Sequence, residues 1–143
     1  MNILDANVLI YAHREDSENH AHYRRWLEKL LNGQELFGVN TVVLSAVIRI
    51  ATHPNIFKDP SPIKEVMAFI EQVRNSSNCL VVNPGERHWD IFCSLIRSLK
   101  LTGNAVPDAY LAALAMEWGY DLITTDQGFS RFPALKWHHP LSY

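Results

Sequence analysis

Short apolar runs alternate with longer amphipathic segments along the chain, and this alternation constrains the fold more than any other feature of the sequence. Each apolar run has the length of one buried strand, and each longer segment repeats its apolar residues at helical spacing. Alternating strands and helices are typical of an α/β protein with a mainly parallel sheet, because parallel neighbours need a crossover between them. The sequence therefore predicts about four or five short parallel strands flanked by helices.

The bounds of the elements follow from hydrophobic spacing and from residues that start or stop helices. Gly33 ends one amphipathic segment, Pro62 and Pro107 stand near the start of two others, and Gly119 ends the last. The predicted strands are residues 1–5, 35–39, 79–82, 120–126 and 135–140, and the predicted helices are 6–13, 18–32, 40–53, 61–74, 86–100 and 104–119.

Composition narrows the class of protein. A chain of 143 residues can bury a core, so we expect a single domain over residues 1–143. The formal charge of −2 gives no general basic surface for coating nucleic acid, although an enzyme with a local basic rim stays open. Cys79 and Cys93 lack metal-ligand spacing, the first twelve residues lack a signal peptide, and no apolar stretch could cross a membrane. We expect a cytoplasmic protein with reduced thiols.

Three aspartates are predicted to meet at one edge of the sheet. Asp5 follows the first strand, Asp126 follows the fourth, and Asp108 lies in the first turn of the last helix. Ligands of such folds gather beyond the carboxyl ends of the strands. Each aspartate also has an ordinary interpretation, since Asp5 suits a helix cap, Asp108 complements a helix dipole, and Asp126 suits a turn.

Taken together, the three carboxylates favour a cation site. Like charges at close range repel, so a fold that brings three together needs a positive charge to neutralise them. Carboxylate oxygens suit Mg²⁺ or Mn²⁺, and a metal held this way suits phosphodiester hydrolysis. Asn7, Thr124 and Thr125 are candidates to hydrogen-bond a carboxylate or a metal water, with ordinary capping and turn roles as the alternative.

Three segments resemble the PIN-domain toxins of the VapC type, which belong to bacterial VapBC toxin–antitoxin pairs. The segments are "MNILDANVLIYA", "LSAVIRIATHP" and "VPDAYLAALAMEWGYDLITTDQGFSRFPALKW". The resemblance implies a three-layer α/β/α PIN fold and a divalent-metal-dependent endoribonuclease that cleaves tRNA or ribosomal RNA and inhibits translation. It also implies a homodimer and inhibition by a VapB-type antitoxin. The metal-binding aspartates of the family match Asp5, Asp108 and Asp126.

Two positions depart from the family pattern. Ala46 stands where many relatives have a glutamate, and Gly128 stands where an acid often follows the last aspartate by two residues. The site keeps three identifiable acids, and one charge fewer is expected to weaken metal binding. Ala46 therefore favours an alternative function, a catalytically weak PIN module that acts mainly through antitoxin binding.

Two arginines are candidate contacts for RNA or antitoxin. Arg14 follows the first helix, and Arg49 interrupts an apolar helix stretch, where a structural ion pair is the competing interpretation. A Mg²⁺ phosphatase is a second alternative function. It is disfavoured because no lysine lies near the strand-end aspartates in sequence, and Asp5 lacks a second acid two residues later.

Overall fold

The computed structural model describes residues 1–142 and contains a five-stranded sheet in which every pair of neighbouring strands is parallel. The strands are β1 (Asn2–Leu4), β2 (Phe37–Val39), β3 (Cys79–Val81), β4 (Asp121–Ile123) and β5 (Trp137–His138). The helices are α1 (Ala6–His13), α2 (His20–Leu31), α3 (Thr41–Ala51), α4 (Ile63–Arg74), α5 (His88–Leu99) and α6 (Ala105–Trp118). The predicted three-layer α/β/α class is confirmed, and the strands are shorter than predicted.

The strand order β3-β2-β1-β4-β5 places the two strands that precede Asp5 and Asp126 side by side. The chain runs outward from β1 in one direction through β2 and β3, and in the other through β4 and β5. The order therefore reverses between β1 and β4, and ligands of open α/β sheets commonly bind beyond the carboxyl ends of the strands at such a point. In the register, Leu4 lies opposite Ile123, so the next residues of both strands emerge together at this edge.

Successive residues of the central strands serve two separate cores. Leu4 and Ile123 pack with helices α1 to α4, whereas Ile3 and Leu122 pack with α6 on the opposite face. This division follows from the period of two along a strand. Both cores are buried, so the sheet forms the middle layer and its edges are left to carry polar groups.

Helix α6 is held firmly against the second core. Its residues Ala109 to Ala115 are almost all buried, and small alanine side chains let a helix approach a sheet closely. The first turn of α6, with Asp108, is therefore positioned by packing along the rest of the helix. Across residues 1–142, none of the helices combines the length and apolar character that crossing a bilayer requires.

Candidate active site

Asp5 leaves β1 and caps the helix that follows. Its peptide N–H donates to the carbonyl of Ile123 at 3.0 Å, which extends the β1–β4 ladder by one bond. Its Oδ1 accepts the N–H of Ala6 at 2.7 Å, as the N-cap residue of α1. The capping interpretation is thus correct, and it leaves Oδ2 for other partners.

The hydroxyl of Thr124 links the ends of β1 and β4. It donates to Oδ2 of Asp5 at 2.7 Å and accepts the peptide N–H of Asp126 at 3.1 Å. Asn7 adds a second link, because its amide nitrogen lies 3.1 Å from both Asp5 Oδ2 and Thr124 Oγ1, and its Oδ1 accepts the N–H of Thr125. The side chains of Asn7 and Thr124 and the backbone of Thr125 therefore belong to one network around Asp5.

Asp126 begins a short 3-10 turn over Gln127–Arg131. Its Oδ1 accepts the N–H of Gly128 at 2.8 Å, so the turn holds the carboxylate at the sheet edge. Asp126 is exposed there, and it lies near enough to Asp5 and Asp108 to raise the pKa of both carboxyl groups. Asp126 therefore starts a turn and also lies at the sheet edge, so the two interpretations of this residue are compatible.

Asp108 is the most strongly perturbed of the three acids. Partial burial, followed by the charges of Asp5 and Asp126, raises the pKa of its carboxyl group to about 6, against a small opposing effect of Arg131. The pKa of Asp5 is also raised, chiefly by burial, while its hydrogen bonds to Thr124, Ala6 and Asn7 oppose that rise. Burial and neighbouring like charges both disfavour the ionised form of a carboxyl group, which accounts for the direction of both shifts.

The donor chemistry of this edge suits a hard divalent cation, since it consists of carboxylate oxygens supported by a hydroxyl and an amide. Within residues 1–142, however, no group of three His, Cys, Asp or Glu side chains could hold a metal ion as it stands. In this arrangement Oδ2 of Asp108 lies 3.3 Å from Nη2 of Arg131. A cation would have to draw this carboxylate away from the guanidinium.

The PIN domain family model matches residues 3–135. The chain belongs to the PIN-domain family. Ribonuclease VapC43 of Mycobacterium tuberculosis is 38% identical over 138 residues, which cover 96% of this chain and 94% of that relative. The PIN domain described here is therefore of the VapC type, as the sequence resemblance implies.

Solved structures share the fold of this PIN domain at lower sequence identity. VapBC2 from Rickettsia felis, bound to a DNA fragment from its promoter, matches with a TM-score of 0.72 and 18% identity, covering 96% of this chain and 97% of that chain. VapC20 of Mycobacterium tuberculosis, described as a sarcin-ricin loop cleaving toxin, matches with a TM-score of 0.66 and 14% identity, covering 93% and 95%. Both likenesses concern the fold.

Arg14 of this PIN domain is occupied by structural contacts. Its guanidinium is buried, forms a two-point pair with Asp16 at 2.7 and 2.9 Å, and donates to the carbonyl of Asp59 and the hydroxyl of Ser61. Its Cζ also lies 3.7 Å from the ring centre of Phe57. These contacts tie α1 to the segment between α3 and α4. They favour a structural role for Arg14 over the predicted contact with RNA or antitoxin.

Arg49 has the opposite environment. It is exposed on α3, three residues beyond the half-buried Ala46 and so on the same face of the helix. Among residues 1–142, none is hydrogen-bonded or ion-paired to its side chain, and the structural ion pair considered from sequence is absent from this part of the chain. Arg49 thus stays a candidate contact for RNA or antitoxin.

Arg131 is a member of the acidic edge that sequence reasoning missed. It lies at the end of the 3-10 turn, and its Nε donates to the carbonyl of Gly128 at 2.7 Å. The sequence signals neither the turn nor the direction of this side chain, because the contact with Asp108 joins residues that are 23 positions apart. A basic residue five positions after a strand-end aspartate is the only signal it offers.

Proposed function

We propose that this chain is the ribonuclease toxin of a VapBC type II toxin–antitoxin pair. It acts as a single PIN domain in the cytoplasm, cleaves cellular RNA of the tRNA or ribosomal RNA class, and thereby inhibits translation. The observation that carries the proposal is the convergence of Asp5, Asp108 and Asp126 at the strand-order reversal, close enough to perturb the pKa of Asp108. Its identity to proteins named as VapC ribonucleases supports the reaction class.

The residues that would hold the cation are Asp5, Asp108 and Asp126, and their oxygen ligands favour Mg²⁺ or Mn²⁺. When bound, such a cation supplies water activation and stabilises charge that develops on the phosphate. Thr124 and Asn7 keep Oδ2 of Asp5 oriented by donating hydrogen bonds to it. The 3-10 turn keeps Asp126 in place through the N–H of Gly128, so two of the three carboxylates are held before substrate arrives.

A VapB-type antitoxin is the proposed protein partner. The matched solved structures include VapBC complexes, and their fold is the fold of this chain. A homodimer is part of the same proposal. We expect the antitoxin to occupy the acidic edge, where it would keep RNA from the three carboxylates.

The second candidate function is a PIN module with little catalytic activity, which acts through the antitoxin. Two observations favour it: Ala46 replaces the acid that many relatives carry, and Asp108 is engaged by Arg131. Both features lower the negative charge available to a cation. Cleavage by the purified protein separates the two functions.

The experiment compares wild type, Asp5→Asn and Asp90→Asn on total cellular RNA with Mg²⁺, with Mn²⁺ and with a chelator. Asp90 is an exposed aspartate in the first turn of α5, away from the three acids in sequence, and so serves as a matched control. We expect cleavage by wild type and Asp90→Asn only with metal, and none by Asp5→Asn. Equal activity of Asp5→Asn and wild type would refute the metal-nuclease assignment.

If none of the proteins cleaves any cellular RNA under these conditions, the binding module becomes the better description. If wild type does cleave RNA, sequencing of RNA 5′ ends after induced expression identifies the target. A matching experiment with co-expressed antitoxin should abolish the new 5′ ends.

A further inference from the structure

Arg131 brings a positive charge into the acidic edge. Its Nη2 lies 3.3 Å from Oδ2 of Asp108, while its Nε is held by the carbonyl of Gly128. The guanidinium thus spans from the turn that follows β4 to the first turn of α6. No other arginine or lysine between residues 1 and 142 forms an ion pair with Asp5, Asp108 or Asp126.

Gly128 makes room for this guanidinium. A Cβ atom at residue 128 would lie 2.9 Å from Nη2 of Arg131 and 2.9 Å from Oδ1 of Asp126, closer than such contacts occur. Both atoms therefore border the space that a side chain at residue 128 would need, while the ion pair of the guanidinium is with Asp108. Gly128, which stands where an acid often follows the last aspartate, therefore leaves room for the side chain of Arg131.

The contact between Arg131 and Asp108 is suited to exchange. The two side chains are 37% and 28% exposed, and 3.3 Å is long for a charge-assisted hydrogen bond. Partly exposed pairs of this kind contribute little stability, so opening one costs little. A phosphate can accept two charge-assisted hydrogen bonds from the same guanidinium. Such a two-point contact is stronger than the single hydrogen bond to a carboxylate oxygen seen here.

Charge balance points the same way. Three ionised carboxylates and one guanidinium carry two net negative charges, which a single divalent cation neutralises. Without the arginine, the loaded site would stay negative and would repel a phosphodiester. With it, the site can accept both the cation and the phosphate.

We propose that Arg131 is a phosphate-binding residue of the active site, which contacts Asp108 in the protein alone and would contact a phosphate of the RNA when Asp108 serves as a cation ligand. The inference rests on the proposed function, because it assigns the phosphate ligand of the same site. It makes two predictions that are measured separately, one on cation affinity without RNA and one on catalysis.

The first measurement is calorimetric titration of Mn²⁺ into wild type, Arg131→Gln, Arg131→Lys and Arg74→Gln at pH 7.5. Arg74 is the control. It is an exposed arginine in the last turn of α4, just before the amino end of β3. Removing the competing charge should tighten Mn²⁺ binding by about three- to tenfold in Arg131→Gln, while Arg131→Lys and Arg74→Gln stay near wild type.

An Arg131→Gln affinity equal to or weaker than that of wild type would overturn the inference. Thermal unfolding of each variant without metal shows that the comparison concerns folded protein. If Arg131 only braced the turn through Gly128, Arg131→Lys would lose that bond too, and both variants would bind Mn²⁺ more weakly.

The second measurement is kcat/KM for RNA cleavage at saturating Mn²⁺. We expect a fall of about 10- to 100-fold in Arg131→Gln and partial recovery in Arg131→Lys, which keeps the charge and loses the fork. Unchanged kcat/KM in Arg131→Gln would refute the phosphate role. If wild type cleaves no RNA, the proposed function fails, whereas the Mn²⁺ titration still tests the competition for Asp108.

Discussion

The hydroxyl of Thr124 donates a 2.7 Å hydrogen bond to Oδ2 of Asp5 and so joins the ends of two neighbouring parallel strands. The same oxygen accepts the peptide N–H of Asp126, so one fully buried hydroxyl connects two of the three acids. Thr124 directly follows β4, and its N–H donates to the carbonyl of His138 at 3.0 Å, so the end of the sheet holds this hydroxyl in place between the two carboxylates. The end of the sheet thus links Asp5 to Asp126, while the 3-10 turn and α6 complete the positions of Asp126 and Asp108.

Replacing Thr124 by valine should remove the hydrogen bonds of the hydroxyl while keeping the size of the side chain. The change leaves the N–H of Asp126 and the amide of Asn7 without this acceptor, and it removes a hydrogen bond that lowers the pKa of Asp5. We expect the free energy of unfolding to fall by about 1–3 kcal/mol and Mn²⁺ affinity to fall at least about tenfold.

Urea unfolding and Mn²⁺ titration measure these effects, with Thr124→Ser as the control that keeps the hydroxyl. A Thr124→Val variant that binds Mn²⁺ like wild type would show that the hydroxyl does not position the acids.

The sequence predicted those parts of the site that depend on local position. Asp5 and Asp126 each follow an apolar strand, and the rule that parallel strands end at one edge was sufficient to bring them together. Asp108 was predictable from the start of its helix, since α6 must pack on the sheet. The five strands were recognisable for the same reason, although capping and turn residues were counted into their ends.

Tertiary contacts were beyond the reach of the sequence. Arg14 looks like a surface charge beside acidic residues, and only the folded segment between α3 and α4 shows it buried against Phe57. The role of Arg131 depends on a 3-10 turn whose residues have no strong helical pattern. The space at Gly128 is similarly visible only once the neighbouring side chains are placed.

Asp108 should make the metal-free protein less stable as the pH rises. The folded-state pKa of its carboxyl group is raised from 3.8 to about 6, so the folded protein holds this proton more tightly than the unfolded chain. The resulting stability is present below about pH 4 and is lost as the pH rises through 6. Asp108 should therefore contribute less stability at pH 7.5 than at pH 4.5, and unfolding of wild type and of Asp108→Asn with chelator at both pH values measures this contribution.

Asp108→Asn should not show this loss of stability as the pH rises, because the amide stays neutral. At pH 7.5 we expect the variant to be more stable than wild type by about 1–2 kcal/mol, a figure reduced from the full shift because the carboxyl is partly exposed. The difference should shrink at pH 4.5, and Asp90→Asn should show no such trend. A pH-independent difference between Asp108→Asn and wild type would contradict the assignment.

Arg14→Lys tests whether this arginine acts in structure alone. Lysine cannot reproduce the two-point pair with Asp16 together with the bonds to Asp59 and Ser61, so we expect the free energy of unfolding to fall by about 2–3 kcal/mol. The cleavage rate of the folded fraction should stay within about twofold of wild type. Urea unfolding and RNA cleavage below the unfolding transition measure the two effects.

Arg49→Gln is compared with Arg14→Lys because Arg49 is exposed, whereas Arg14 is buried. Its side chain is exposed and contributes no ion pair among residues 1–142, so stability should be unchanged while RNA or antitoxin binding weakens. If Arg14→Lys loses cleavage under conditions in which it is fully folded, Arg14 contacts RNA after all.

Ala46→Glu should strengthen cation binding. Ala46 is half-buried on α3, which begins just after β2 on the carboxyl side of the sheet, and the family pattern places a glutamate there. A fourth carboxylate raises the attraction for a divalent cation, and we expect Mn²⁺ affinity to rise by about three- to tenfold at pH 7.5. Ala46→Gln has nearly the same size without the charge and should leave the affinity unchanged. If both variants weaken Mn²⁺ binding equally, the larger side chains crowd α3 and residue 46 does not face the cation. If only the glutamate strengthens binding, residue 46 faces the cation and the alanine costs the site a ligand.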